Sequence, residues 1–185
     1  MKIRPLEIPE VLLIEPQRFG DERGWFSETF REAALAEAGF TRRFVQDNHS
    51  FSAPKGTLRG LHFQVDPNAQ DKLVRCTRGS IVDVAVDIRQ GSPTYGRHVK
   101  ATLSAENGHQ LLVPIGFAHA FVTLEPDCEV QYKVTGYYSK ECDRGIFWND
   151  PDLGIEWPFP AEEMTLSEKD KNAPLLADSA PFFVY

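Results

Sequence analysis

Apolar and polar residues alternate with a period of two through most of the middle of the chain, as in strands that turn one face to a core. The clearest case is 81–88, where Val82, Val84, Val86 and Ile88 share one face and Asp83 and Asp87 lie on the other, so the valine face is read as core. Shorter runs of the same kind fall at 11–15, 44–48, 58–64, 72–77, 99–103, 110–113, 119–124 and 129–135, separated by Gly, Pro, Asn and Asp. In the last of these Val130, Tyr132 and Val134 share a face, and Gln131 and Lys133 take the opposite one. Many short strands at this spacing predict an all-β sandwich or barrel.

Only two segments carry a helical pattern. Residues 30–38 are rich in Ala, with Glu and Arg among them, and stop at Gly39, a good C-terminal cap. Ser167-Glu-Lys-Asp170 reads as a capping box opening one or two turns before Pro174. The proline-rich stretch 151–160 predicts irregular chain over the surface. No internal repeat, low-complexity tract or linker interrupts the pattern, so residues 1–185 read as a single domain ending in a short helical segment.

Composition narrows the partners. A chain of 185 residues suffices for one domain that buries about 70% of the surface its unfolded form exposes. The net charge of -7 and pI near 5.2 oppose a nucleic-acid surface, which shows a basic stripe, although a local basic pocket fits inside an acidic whole. Cys76, Cys128 and Cys142 are odd in number and widely spaced, which predicts free thiols in a reducing compartment, the cytoplasm by default. The N-terminus lacks the apolar core of a signal peptide and no run reaches membrane-spanning length. The sequon Asn48-His-Ser50 has no meaning in such a compartment. There is neither a Gly-rich dinucleotide loop nor a phosphate-cradling GxxxxGK[ST], so a nucleotide would be held by side chains.

Two histidine-bearing motifs, Gly56-Thr-Leu-Arg-Gly-Leu-His62 and Gly108-His-Gln-Leu-Leu-Val-Pro114-Ile-Gly116-Phe-Ala-His119, resemble the paired signatures of the cupin β-barrel. The resemblance implies a mainly β jelly roll, a double-stranded β-helix with a few short helices. A metal cupin would carry a second His two positions after the first and a Glu shortly beyond, where this chain has Gln64 and then Asn68 and Ala69. A transition metal needs three or four convergent ligands, so no metal is expected and the chemistry falls to ordinary acids and bases.

His62 is then a candidate base near pH 7. A lone buried His is more often a hydrogen-bonded core residue, but Arg59 and Lys72 lie close in sequence, and fixed cations beside a barrel histidine call for an anionic ligand. Arg59 and His62 are three apart and point to opposite faces of a regular strand; both serve one pocket only if the ladder is irregular, and Gly60 permits a bulge. A carboxylate fixing the tautomer of His62 is supplied by Asp170 or, equally, by Asp83, and residue types alone leave both open. The ordinary reading of Asp170 is a helix cap, and that of Tyr132 a core residue whose hydroxyl finds a partner. Phe19-Gly-Asp-Glu-Arg23-Gly-Trp-Phe-Ser-Glu28 has the Gly and charge of a solvated turn.

Taken together, Gly20-Asp-Glu-Arg-Gly24, Phe44-Val-Gln-Asp-Asn-His-Ser50, Leu58-Arg-Gly-Leu-His-Phe-Gln64, Lys72-Leu-Val-Arg75, Asp83-Val-Ala-Val-Asp-Ile-Arg89, Pro114-Ile-Gly-Phe-Ala-His119 and Trp148-Asn-Asp150 resemble the dTDP-4-dehydrorhamnose 3,5-epimerase family over nearly the whole chain. The resemblance implies a cofactor-free isomerase that inverts carbons 3 and 5 of a dTDP-4-keto-6-deoxy sugar through enolates, in L-rhamnose supply for surface polysaccharide. It makes His62 the general base oriented by Asp170, Tyr132 the general acid on the opposite face of the sugar, and Lys72 the partner of the ketone oxygen. Arg23, Arg59 and His119 would hold the diphosphate. Glu28, Gln46, Asn48 and, beside them, Phe19 and Asp47 would contact the thymidine part, with Tyr138 stacking on the base. Asp143 and Lys169 match further contact positions, although the family commonly has Glu in place of Asp143. The resemblance also implies a homodimer that exchanges N-terminal strands. The rival readings are an epimerase acting at one carbon for another deoxysugar, and a cupin that binds a nucleotide sugar without turning it over.

Overall fold

The computed structural model describes residues 1–179 and 181–185, and its regular elements are almost all strands. In chain order these are β1 (Lys2–Pro5), β2 (Leu12–Glu15), β3 (Arg18–Asp21), β4 (Gly24–Ser27), β5 (Gln46–Ser52), β6 (Leu58–Gln64), β7 (Lys72–Arg78) and β8 (Ser80–Asp87). They continue with β9 (Arg89–Gln90), β10 (His98–Ser104), β11 (Gln110–Val113), β12 (Phe117–Thr123), β13 (Cys128–Val134), β14 (Asp143–Gly145) and β15 (Phe183–Val184). Two helices interrupt them, α1 (Glu32–Glu37) and α2 (Glu168–Lys171).

Two antiparallel sheets face one another, a six-stranded sheet in the order β1-β2-β11-β7-β13-β5 and a five-stranded sheet in the order β10-β8-β12-β6-β14. This is the jelly-roll arrangement of the cupins. Each strand with a clear alternation found its place: 58–64 and 110–113 match the observed strands residue for residue, and the others shift by one or two positions. The run 44–48 is the exception, starting at Gln46 and continuing to Ser52. Helix 30–38 contracts to Glu32–Glu37, ended as expected near Gly39, whose φ of +93° suits glycine.

The interior between the sheets is filled by Ile81, Ala85, Val99, Leu103, Leu111, Val113, Phe117 and Phe121 against Val74, Cys76 and Val130. On β8, therefore, the expectation of one core face is corrected. Val84 and Val86 are buried on the outside of the five-stranded sheet, under Leu153, Ile155 and Leu176, while the opposite face, with Ile81, Asp83, Ala85 and Asp87, lines the barrel interior. Both aspartates are wholly buried because they face the opposite sheet, while chain 146–157 covers the valine face that an open sheet would leave wet. Asp87 is satisfied there by Arg89, Ser92 and Thr94. Arg89 also pairs with Glu10 and lies over Phe117 and Tyr185, which ties the C-terminal strand β15, paired with β9, to the barrel.

Gly60 supplies the irregularity that Arg59 and His62 require. Its φ is +135°, and the pairing of β6 with β12 slips a residue between His119↔His62 and Phe121↔Arg59. A Cβ at Gly60 would sit 2.4 Å from Ala120 Cβ and 2.6 Å from the His119 carbonyl oxygen. Gly60→Ala combines left-handed strain with overpacking against backbone, so it is expected to destabilise the fold by about 3 kcal/mol or more. Thermal denaturation followed by circular dichroism measures it, and a melting temperature within a degree or two of the parent would show that the bulge relaxes freely.

No helix of the described residues is long and apolar enough to cross a membrane. Cys76, Cys128 and Cys142 are buried free thiols, and burial pushes the Cys76 thiol up to about 12.

Candidate active site

Slipping the register at Gly60 turns Arg59 and His62 into one cavity of about 390 Å³ at the mouth of the barrel. His62 and Arg59 come from β6, His119 and Phe121 from β12, Lys72 from β7 and Tyr132 from β13. The histidines thus stand on the five-stranded sheet, and Lys72 and Tyr132 on the six-stranded sheet across the interior. Chain 164–170 closes one side with Thr165, Leu166, Ser167 and Asp170, held in place by a bridge between Thr57 and Thr165.

The partner of His62 is Asp170, whose Oδ1 lies 2.5 Å from Nε2. Burial pushes the Asp170 carboxyl up, but the hydrogen bond and charge of His62, with Ser167 and the Gly60 backbone, outweigh it and leave the group below the ordinary carboxylate range. An ionised carboxylate only accepts, so His62 donates from Nε2 and its Nδ1 is left as the basic nitrogen. The capping box forms by half. Ser167 Oγ accepts from the Asp170 N–H at 3.2 Å, while the Asp170 carboxylate turns to His62 instead of reaching back to the start of α2.

Asp83, the other candidate, belongs to His119, with Oδ1 2.7 Å from Nε2. Burial lowers the His119 pKa against the opposing pull of Asp83, so its imidazole is neutral at neutral pH and brings no fixed charge to an anion. Arg59 brings a permanent positive charge to this cavity, exposed and anchored to Phe51 O and Ser52 Oγ. Lys72 donates to the main-chain oxygen of His62 at 3.2 Å, and burial lowers its pKa to about 8 although Asp143 and Asp83 pull it upward. Tyr132 is raised above its ordinary value by burial, with Arg59 opposing. The arrangement offers a base and a phenolic acid on opposite walls, with the Lys72 ammonium lining the same cavity.

A second cavity of about 600 Å³ shares Tyr132 and is lined by Glu28, Asp47 and Asn48. Gln46 donates to Asn48 Oδ1 at 2.8 Å and accepts from the backbone N–H of Tyr138, which places Tyr138 beside this strand with its ring exposed. Asp47 pairs with Lys133, and Asp143 with Lys169. Gln46, Tyr138, Asp143 and Lys169 line neither cavity, and nor do Phe19 and Arg23. Both lie on the β3–β4 hairpin, where Arg23 pairs with Asp21 in its own turn and Phe19 is 57% exposed. Pattern reasoning passed over Ser50, Phe121, Thr165 and Leu166. Ser50 was legible by parity with Asn48 on the same strand face, whereas Thr165 and Leu166 lie in irregular chain with no period to read. Among the described residues no three His, Cys, Asp or Glu side chains converge as a metal site would require.

The sequence profile of the dTDP-4-dehydrorhamnose 3,5-epimerases matches residues 5–178. The chain belongs to this family. The dTDP-4-dehydrorhamnose 3,5-epimerase of Sinorhizobium fredii is 55% identical over 185 residues, all of this chain and 94% of that one. That of Shigella flexneri is 51% identical over the full length of both. A crystal structure of dTDP-6-deoxy-D-glucose-3,5-epimerase from Legionella pneumophila, in complex with dTDP-4-keto-L-rhamnose, superposes with a TM-score of 0.94 at 45% identity, covering 100% of this chain and 98% of that one. Within this family the barrel, the isomerase chemistry and the nucleotide-sugar substrate expected from the sequence all find their place.

Proposed function

We propose that this chain converts dTDP-4-dehydro-6-deoxy-D-glucose to dTDP-4-dehydro-L-rhamnose by inverting carbons 3 and 5 without a metal or redox cofactor. The observation that carries the reading is the placement of His62 and Tyr132 on opposed sheets of one barrel with Lys72 beside them. A ketone at carbon 4 makes the hydrogens on both neighbouring carbons acidic, because the electron pair left behind moves onto the oxygen as an enolate. His62 Nδ1 takes the proton from one face, and Asp170 stabilises the imidazolium that results. Lys72 offsets the charge growing on oxygen, and Tyr132 delivers a proton to the opposite face. Arg59 holds the diphosphate, Tyr138 stacks on the base, and Glu28, Gln46, Asp47 and Asn48 contact the thymidine end. The second cavity, which shares Tyr132 with the first, is of a size for that end.

Phe19, Trp25 and Phe26 stand 57%, 59% and 71% exposed on the β3–β4 hairpin, more apolar surface than a lone hairpin keeps in water. In our reading a second copy of the chain receives this hairpin, so that Phe19 and Arg23 serve the site of the partner in a homodimer. Three buried free thiols suit action in the cytoplasm.

Incubating the protein with the 4-keto nucleotide sugar in D₂O, with a chelator present, tests the reading. Deuterium at both carbons of an inverted product is expected. Deuterium at one carbon would make the protein a single-centre epimerase, and none would make it a binding protein only. The Lys72 assignment predicts a further signature. Its ammonium is intact below about pH 8 and is lost as pH rises through that value, so kcat/KM should fall on the alkaline side with a midpoint near 8. Tyr132, displaced upward from 10, does not account for a limb there. Lys72→Met should remove about 10²–10³ of the rate and with it that limb of the pH profile.

A further inference from the structure

Gln64 stands two residues after His62 on β6, on the same face, at the position where a metal cupin has its second histidine. It is 4% exposed and its amide is used three times. Nε2 donates to the main-chain oxygens of Asn68 at 2.7 Å and Tyr137 at 3.0 Å, and Oε1 accepts from the N–H of Ser139 at 2.7 Å. Two of these bonds bracket Tyr138. The turn at 136–139 is held from other sides as well, by Gln70 donating to Gly136 O at 2.9 Å and by Gln46 accepting from Tyr138 N–H at 3.2 Å. Gly136 packs so closely on chain 68–70 that a Cβ there would lie 2.9 Å from Ala69 O.

The backbone of this turn is thereby fixed while the rings of Tyr137 and Tyr138 stay 63% and 61% exposed. An exposed aromatic ring on a rigid backbone loses little conformational freedom when a flat ligand stacks on it, so the ordering that binding would otherwise demand is already done. We propose that Gln64 is a positioning residue for nucleotide binding, its buried amide locking the 136–139 turn so that Tyr138 meets the nucleobase. The inference rests on the stacking role given to Tyr138 above.

Gln64→Glu keeps the shape and the acceptor but turns a carboxylate oxygen toward two carbonyl oxygens. Calorimetry with dTDP should show binding weakened roughly tenfold or more, as expected when a preorganised contact must be ordered on binding. Solvent deuterium exchange should show KM raised to match, with kcat within about threefold of the parent, because His62, Lys72 and Tyr132 are untouched. Gln64→Met, similar in bulk and uncharged, should show the same split and so exclude the buried charge as its cause. In a Tyr138→Ala background Gln64→Glu should add nothing further to the dTDP dissociation constant. Parent-like dTDP binding by both Gln64 variants, a fall in kcat at constant KM, or a full additive effect in the Tyr138→Ala background would each overturn the proposal. If Tyr138→Ala alone binds dTDP like the parent, the stacking role falls, and that failure is read from the single variant without reference to Gln64.

Discussion

His62→Ala is expected to abolish solvent exchange at both carbons while leaving dTDP binding close to that of the parent. The two properties separate because they draw on different residues. The imidazole contributes the proton acceptor, and a positioned general base supplies about 10²–10⁴-fold in rate, with nothing else in the cavity placed to replace it. His119 stands on the same wall and also gives its Nε2 to a carboxylate, that of Asp83, but burial lowers its pKa and leaves it the weaker base. In the proposed reading nucleotide affinity draws on Arg59 and the strand that carries Gln46 and Asn48, none of which bonds to His62. Deuterium wash-in beside calorimetry with dTDP checks both halves. Exchange at near-parent rates would return His62 to the status of a hydrogen-bonded barrel histidine. Asp170→Asn should follow in milder form. The amide keeps most of the geometry but no longer stabilises the imidazolium, so kcat falls with little change in KM, whereas a residue that only capped α2 would lower the melting temperature without a kinetic defect.

The strands of this barrel were legible because their alternation is strong, and β6 and β11 could be bounded to the residue. What the period of two does not convey is which side of a sheet is wet. Asp83 and Asp87 carry the polar pattern of an outward face and yet point into the barrel, because 146–157 and the C-terminus cover the valine side. The same ambiguity kept Asp83 and Asp170 equivalent as partners of His62. They differ in space, since Asp83 lies on β8 opposite Phe121 and reaches His119, while Asp170 arrives from a helix more than a hundred residues beyond His62 in sequence. The Gly60 bulge was legible because two residues three apart were required in one pocket, a demand that a regular strand does not meet. The β3–β4 hairpin was not, because its four-residue arms read as a charged turn, and its exposed Phe19, Trp25 and Phe26 have no burial within one chain to announce them. Weak strands such as β14 owe their existence to pairing with β6 more than to their own residues.

Tyr132→Phe is expected to pull apart two quantities that the parent keeps together. The variant loses only the hydroxyl, and the ring that packs against Val74, Val130 and the rest of the interior remains, so the fold should hold. His62 with Asp170 is intact and so is Lys72, the proposed partner of the ketone, so the enolate should form as before. Burial keeps the Tyr132 phenol protonated well past neutral pH, which makes it a proton donor in the parent, and the phenylalanine has none to give. The enolate then returns by the route it came, receiving from the imidazolium of His62 a proton that has exchanged with solvent. Deuterium should therefore enter with retained configuration, while inverted product falls by about 10²-fold or more, the share of a positioned general acid. One NMR sample of the recovered nucleotide sugar reports both the isotope content and the configuration of each carbon. Had Tyr132 acted instead by polarising the ketone, its loss would slow enolate formation itself, and exchange and inversion would decline by one common factor. Opposed placement on two sheets is what makes the distinction sharp, since a base and an acid on the same wall would return protons to the same face whichever of them was removed.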